Sequence, residues 1–178
     1  MTAKRVFLLS LVFGCLLATS GRAATLRAMK LADLTHQADV IFVGTVVNRV
    51  SAWNADHSRI YTRTTFQVED YLKGQAGETI VIETLGGGVK GIGMRVPGMP
   101  TFNPQQKHLL FVKTGRVTGT HRVLGWEQGN FRIHRDPRTG RQVVSRDLGG
   151  VNLVGGLSSE PIQDLDQLKD AIRQWNGR

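Results

Sequence analysis

The sequence predicts a mainly β fold: a small barrel or sandwich of about six or seven short strands with a helix at each end. Three observations carry this. Residues Ile60–Leu72 alternate with period two, placing Ile60, Thr62, Thr64, Phe66, Val68 and Leu72 on one face and Arg59, Tyr61, Arg63, Thr65, Gln67 and Glu69 on the other. Further short apolar runs follow at close spacing, separated by Gly- and Pro-containing turns. The two ends instead repeat their apolar residues at helical spacing. A chain of 178 residues, 40% hydrophobic and 21% charged, is not a disordered polymer and has the size of one domain with its own core.

Residues 1–23 read as a secretory signal peptide. Lys4 and Arg5 form the positive end, Val6–Ala18 the apolar run, and Gly21 and Ala23 the small residues before a cut after Ala23. The run is short for a membrane span, which needs roughly 20 residues. Removal of the leader would leave 155 residues with 20 basic and 14 acidic side chains and, because Cys15 goes with it, no cysteine. The expected mature domain is therefore periplasmic or secreted, lacks disulfides and relies on an ordinary core.

In the mature chain, Leu31, Leu34 and Ala38 share one face of an expected helix over Leu26–Ala38. The β-branched run Asp39–Val47 is an expected strand buried on both sides, with Gly44 marking a bulge or bend. After Ile60–Leu72 and a turn at Lys73–Gly77, strands are expected at Glu78–Leu85, His108–Lys113, His121–Leu124, Asn130–His134 and Gln142–Ser145. Asp136-Pro137-Arg138-Thr139-Gly140 is the turn between the last two. A closing helix is expected over Pro161–Trp175, capped by Ser158 or Ser159, with Ile162, Leu165, Leu168, Ile172 and Trp175 as its apolar stripe.

Gly86–Gln105 stands apart. It holds six glycines and three prolines, no acid and no clear periodicity. A connection of that length in a compact domain is a flexible link or a binding loop. As a binding loop it would present Met94, Arg95, Met99 and Phe102. Gly86-Gly87-Gly88-Val89-Lys90-Gly91 matches the spacing of a dinucleotide-binding turn, but Gly93, Pro97 and Pro100 oppose the helix that should follow, and no Asp or Glu occurs between Glu83 and Glu127. No cofactor is expected. Five histidines show no helical ligand spacing; His108 and His121 bracket a strand pair and could approach in space, as many pairs could, and no metal site is expected. Glu83 and Glu127 are the one pair of carboxylates with any prospect of acid–base work, and catalysis is not the leading expectation.

The segments Ala38–Val47, Tyr61-Thr62, Phe66–Gly74 and His108–Val112 resemble the netrin-like module of the tissue inhibitors of metalloproteinases, in a cysteine-free bacterial exported form. The resemblance implies an OB-like, Greek-key β-barrel with flanking helices. It carries over no functional residue, because those inhibitors chelate the protease zinc through an N-terminal cysteine. Here the expected mature N-terminus is Ala24-Thr25.

The function expected is that of a noncatalytic binding module whose partner is an exported or envelope protein, held by the Gly/Pro loop. The alternative is a polyanion held by a basic strand face of Arg59, Tyr61 and Arg63, joined by Lys90, Arg95, Arg132, Arg135, Arg138, Arg141 and Arg146.

Overall fold

The first described strand pairs with one from the far end of the chain, not with its neighbour. The computed structural model describes residues 24–148, 151–154 and 163–177. The expected leader and its cleavage point lie outside these, as do Ser158, Ser159, Pro161 and Ile162. Strand β1 (Ala24–Arg27) runs parallel to Val151–Val154. The helix expected from Leu26 therefore begins later, as α1 (Leu31–Gln37). Leu31, Leu34 and Thr35 turn inward. At its C-terminus, Lys73 Nζ donates to the Thr35 and His36 carbonyls (2.7 and 3.0 Å) and Lys113 Nζ to that of Gln37 (3.0 Å). Cations at the negative end of a helix are stabilising.

Strands β2 (Val40–Trp53) and β3 (Ile60–Lys73) form a long antiparallel ribbon. Its register shifts between Val43 and Gly44, the bulge expected at that glycine. Strand β4 (Thr79–Leu85) follows on β3. The Gly/Pro segment then contributes β5 (Gly87–Val89) and β6 (Ile92–Met94), a small hairpin turning on Lys90 and Gly91, both at positive φ (49° and 83°). Two left-handed residues are what a tight two-residue hairpin turn requires. The segment is thus an ordered hairpin and wall, not a structureless connection.

Strand β7 (Lys107–Thr114) pairs with the first half of β2, and β8 (His121–Val123) joins the end of β7 to β4. In chain order β2, β3, β4, β7 and β8 are linked first–second–third–fifth–fourth–first, with the third and fifth parallel. This closes a five-stranded barrel with OB-type connectivity. A 3-10 turn (Trp126–Gly129) leads into β9 (Asn130–Arg135), which occupies the other half of the β7 edge. Strand β10 (Gln142–Ser145) and the remaining strands β11 (Val151–Val154) and β12 (Gln163–Asp164) complete the extension and the pair with β1.

Because Gln163 and Asp164 pair with β10, the closing helix cannot start at Pro161; α2 runs Leu165–Asn176. Its cap is Asp164, whose Oδ1 accepts from the Asp166 and Gln167 amides. Leu165, Leu168 and Ile172 are buried as expected, in an outer core where α1 and α2 cover Ile41, Val43, Leu109 and Phe111. The barrel interior is a second core of Val40, Phe42, Val46, Phe66, Ile80, Ile82, Phe102, Leu110 and Val112. Alternation along β2 and β7 feeds the two cores in turn, which is why those strands read as continuous apolar runs.

Candidate functional site

The inside of the barrel changes character along its length. Pairing places Val46, Phe66 and Ile80 in one cross-strand row, then Arg49, Thr64 and Ile82, then Ser51, Thr62 and Thr84. An apolar interior thus gives way to hydroxyls. Over this end lies the Gly/Pro segment, and between them is a cleft of about 680 Å3, lined chiefly by Thr62, Thr64, Thr84, Arg95, Met99 and Glu127, with Arg49, Met94, Phe102 and Asp147 also contributing.

The segment is fastened along its length. The Gly86 amide donates to the Ile60 carbonyl (2.7 Å), and Thr62 Oγ1 donates to the Gly86 carbonyl (2.6 Å). The Glu127 amide donates to the Gly98 carbonyl (3.1 Å), and the Gln105 amide to the Val46 carbonyl (2.9 Å). Phe102 drives inward: its ring meets Phe66 at 5.0 Å and His108 at 5.1 Å, both edge-on, and Phe66 meets His108 at 6.0 Å. Edge-to-face contacts at these separations are favourable. Phe102, expected as a contact residue of the loop, is 1% exposed and belongs to the core.

A polar chain runs back from the cleft, half-buried at Glu127 and buried at Asn130 and His108. His108 Nδ1 lies 2.8 Å from Asn130 Oδ1, and Asn130 Nδ2 donates to Glu127 Oε2 at 2.7 Å. Burial holds His108 down at about 4, assisted by the Arg132 charge and opposed by the Asn130 hydrogen bond. Burial pushes the Glu127 carboxyl up to about 7, with Asp147 adding to the rise and Asn130, Arg132 and the Thr101 amide opposing it. His108 Nε2 and Thr64 Oγ1 are buried without a hydrogen-bond partner.

The expected site residues divide into three places. Met94, Arg95, Met99 and Phe102 meet at the cleft. Lys90 stands at the hairpin turn. Arg59, Tyr61 and Arg63 lie elsewhere, because residues alternate across β3: Thr62 and Thr64 face the cleft, while Tyr61 and Arg63 face out beside Val50, Trp53 and Glu83. Glu83 takes both Arg63 (3.4 Å) and Arg122 (3.1 Å), so this face is less basic than the sequence suggested. Glu83 and Glu127 do not form a pair: one is on the outer wall, the other in the cleft. His108 and His121 do not converge either: His108 stands opposite Gly44 and Arg132 near the start of β7, and His121 opposite Thr114 at its end.

Thr62, Thr64, Thr84, Arg49 and Glu127 were not legible as one site. The available signal was polar: three threonines on the packed faces of β3 and β4, where an all-apolar barrel would carry Val or Ile. Among the described residues, no three His, Cys, Asp or Glu side chains converge, and no helix is long and apolar enough to cross a membrane. No protein-family model matches the sequence, and no curated protein matches it.

Proposed function

We propose that this chain is an exported, noncatalytic binding module, periplasmic or secreted, that holds a segment of a partner protein in the cleft between the hydroxyl-lined end of the barrel and the Gly/Pro wall. One observation carries the reading: the long segment is fastened to the barrel at both ends and in the middle, yet encloses an open cleft instead of collapsing onto it. An ordered loop on a rigid barrel is the usual platform for recognition. A mixed lining of threonines, methionines and arginines suits a polypeptide segment, which brings polar backbone and apolar side chains together.

The test is affinity capture by the tagged mature chain in its native host at moderate salt, beside two variants. One shortens the hairpin so that Gly87 joins Lys90-Gly91 and then Met94; the other is Thr64→Val. A discrete protein recovered by the parent chain and lost with both variants supports the reading. A protein retained by both variants, or none recovered by the parent, overturns it. A polyanion bound through the outer face of β3 would instead be released as salt rises, whichever cleft variant is used.

A further inference from the structure

The hydrogen bonds at the floor of the cleft commit most of its hydroxyl protons. Thr62 commits its hydroxyl proton to the Gly86 carbonyl, so Ser51 Oγ, 2.8 Å away, must donate to it. Thr84 Oγ1 turns its proton toward the Thr62 carbonyl at 3.4 Å. His108 Nδ1 donates to Asn130 Oδ1 when its tautomer is the one that satisfies this pair, and Asn130 Nδ2 then donates to Glu127. The Thr101 amide is close enough to Glu127 to favour its ionised form. The hydroxyl protons of Ser51, Thr62 and Thr84 are thus committed within the protein, and Glu127, which lines the cleft, keeps acceptor capacity beside the exposed guanidinium groups of Arg49 and Arg95. Thr64 Oγ1 is the unfilled position: its residue is fully buried, lines the cleft and has no partner.

We infer that the cleft receives a cationic nitrogen, the side chain of a lysine or arginine on the bound segment, with Glu127 as its counter-ion and the Thr64 hydroxyl as a further acceptor. This rests on the proposed function and names the chemistry of the partner. A half-buried carboxylate short of positive charge resists ionisation, as Glu127 does, and a bound cation supplies what is missing. The other charged groups around Glu127 leave room for it. Asp147 lines the same cleft with the same sign. Arg132 lies near Glu127 and His108, and His108 is neutral at neutral pH. Arg49 and Arg95 line the cleft but are exposed, and Arg49 Nη1 makes a long contact with the Phe102 carbonyl at 3.5 Å. Water screens such exposed cations far more than buried groups.

The experiment titrates the mature chain with acetyl-Gly-Lys-Gly-amide, and with the same peptide carrying norleucine or glutamate, following amide and carboxyl NMR shifts at millimolar peptide. The lysine peptide is expected to shift cleft residues, and the other two are not. Glu127→Gln is expected to weaken it roughly tenfold or more and Thr64→Val severalfold. Saturation is expected to lower the Glu127 carboxyl titration in the parent chain. Equal binding of norleucine or glutamate, an affinity indifferent to Glu127→Gln, or no binding of any peptide overturns the inference. Protein capture that depends on the cleft, without lysine selectivity, leaves the proposed function standing and removes this inference. Lysine selectivity without protein capture does the reverse, and n-butylamine binding as tightly as the peptide would then identify the ligand as a free amine.

Discussion

His108 Nδ1 and Asn130 Oδ1 are 2.8 Å apart, and both residues are buried where β7 meets β9. Asn130 satisfies two groups at once, the imidazole and the Glu127 carboxyl. Asn130→Ala strands both, and a buried polar group left unpaired costs about 1–3 kcal/mol. The midpoint of urea unfolding is expected to fall at unchanged slope. His108→Leu combined with Asn130→Leu is expected to cost less than the sum of the single changes, because neither the imidazole nor the amide is left facing a missing partner, and only the Glu127 carboxyl still loses its donor. Additive losses would show that the pair is not coupled.

The same chain sets the pH dependence of stability. His108 titrates at about 4 when folded and ordinarily at 6.5. Between those values the unfolded chain binds a proton that the folded one refuses, so stability rises with pH and is lost as pH falls toward 4. Glu127 titrates at about 7 when folded and ordinarily at 4.5. There the folded chain keeps the extra proton, so stability is fully present below 4.5 and falls as pH rises to 7. Each amounts to about 3 kcal/mol across its window. The two slopes oppose one another between pH 4.5 and 6.5. Relative to the parent chain, Glu127→Gln should therefore gain stability steadily with pH across that interval, and His108→Gln should lose it. Urea unfolding at a series of pH values measures both differences, and two parallel profiles would contradict the assignment.

Phe102→Ala is expected to be a core mutation as well as a cleft mutation. Its ring is held between Phe66 and His108, and removing a buried phenylalanine costs about 3–5 kcal/mol. Met99→Ala changes the same wall at a half-buried position and is expected to cost less than about 1 kcal/mol. Thermal unfolding separates the two. Equal melting temperatures would mean that Phe102 does not anchor the segment.

Gly44 admits no side chain without movement. A β-carbon there would lie 2.7 Å from the Gln67 carbonyl oxygen and 3.0 Å from the Phe42 ring. Gly44→Ala should force the bulged part of β2 away from β3 and destabilise the barrel by about 1–3 kcal/mol. Denaturant unfolding checks this, and an unchanged midpoint would show that the bulge yields at no cost.

Local pattern was enough for most of the barrel. The alternation from Ile60 to Leu72 located β3 and its two faces, and the Gly44 bulge and the Asp136–Gly140 turn were readable because glycine and proline act through their own backbone geometry. The helix ends were not readable. Leu26 and Arg27 extend to pair with Leu153 and Val154, and Gln163 and Asp164 pair with Val144 and Val143. Distant partners overrode the helical spacing of both segments. The hairpin in the Gly/Pro segment was missed for a related reason: Lys90-Gly91 is a weaker turn signal than Asn-Gly, and its strands are only three residues long.

The sequence by itself determined the β class, the inward set of strand residues and the Gly/Pro segment as a place apart, because each depends on periodicity or on turn chemistry within a few residues. Only the tertiary structure decided which of those residues form one site. Closing the barrel set the threonines of β3 and β4 beneath Met94, Arg95 and Met99, turned Phe102 into the core, sent Tyr61 and Arg63 to the outer wall, and brought Glu127 to the cleft through Asn130 and His108. Strand register and barrel closure join residues far apart in the chain, and no local property of either partner encodes that meeting.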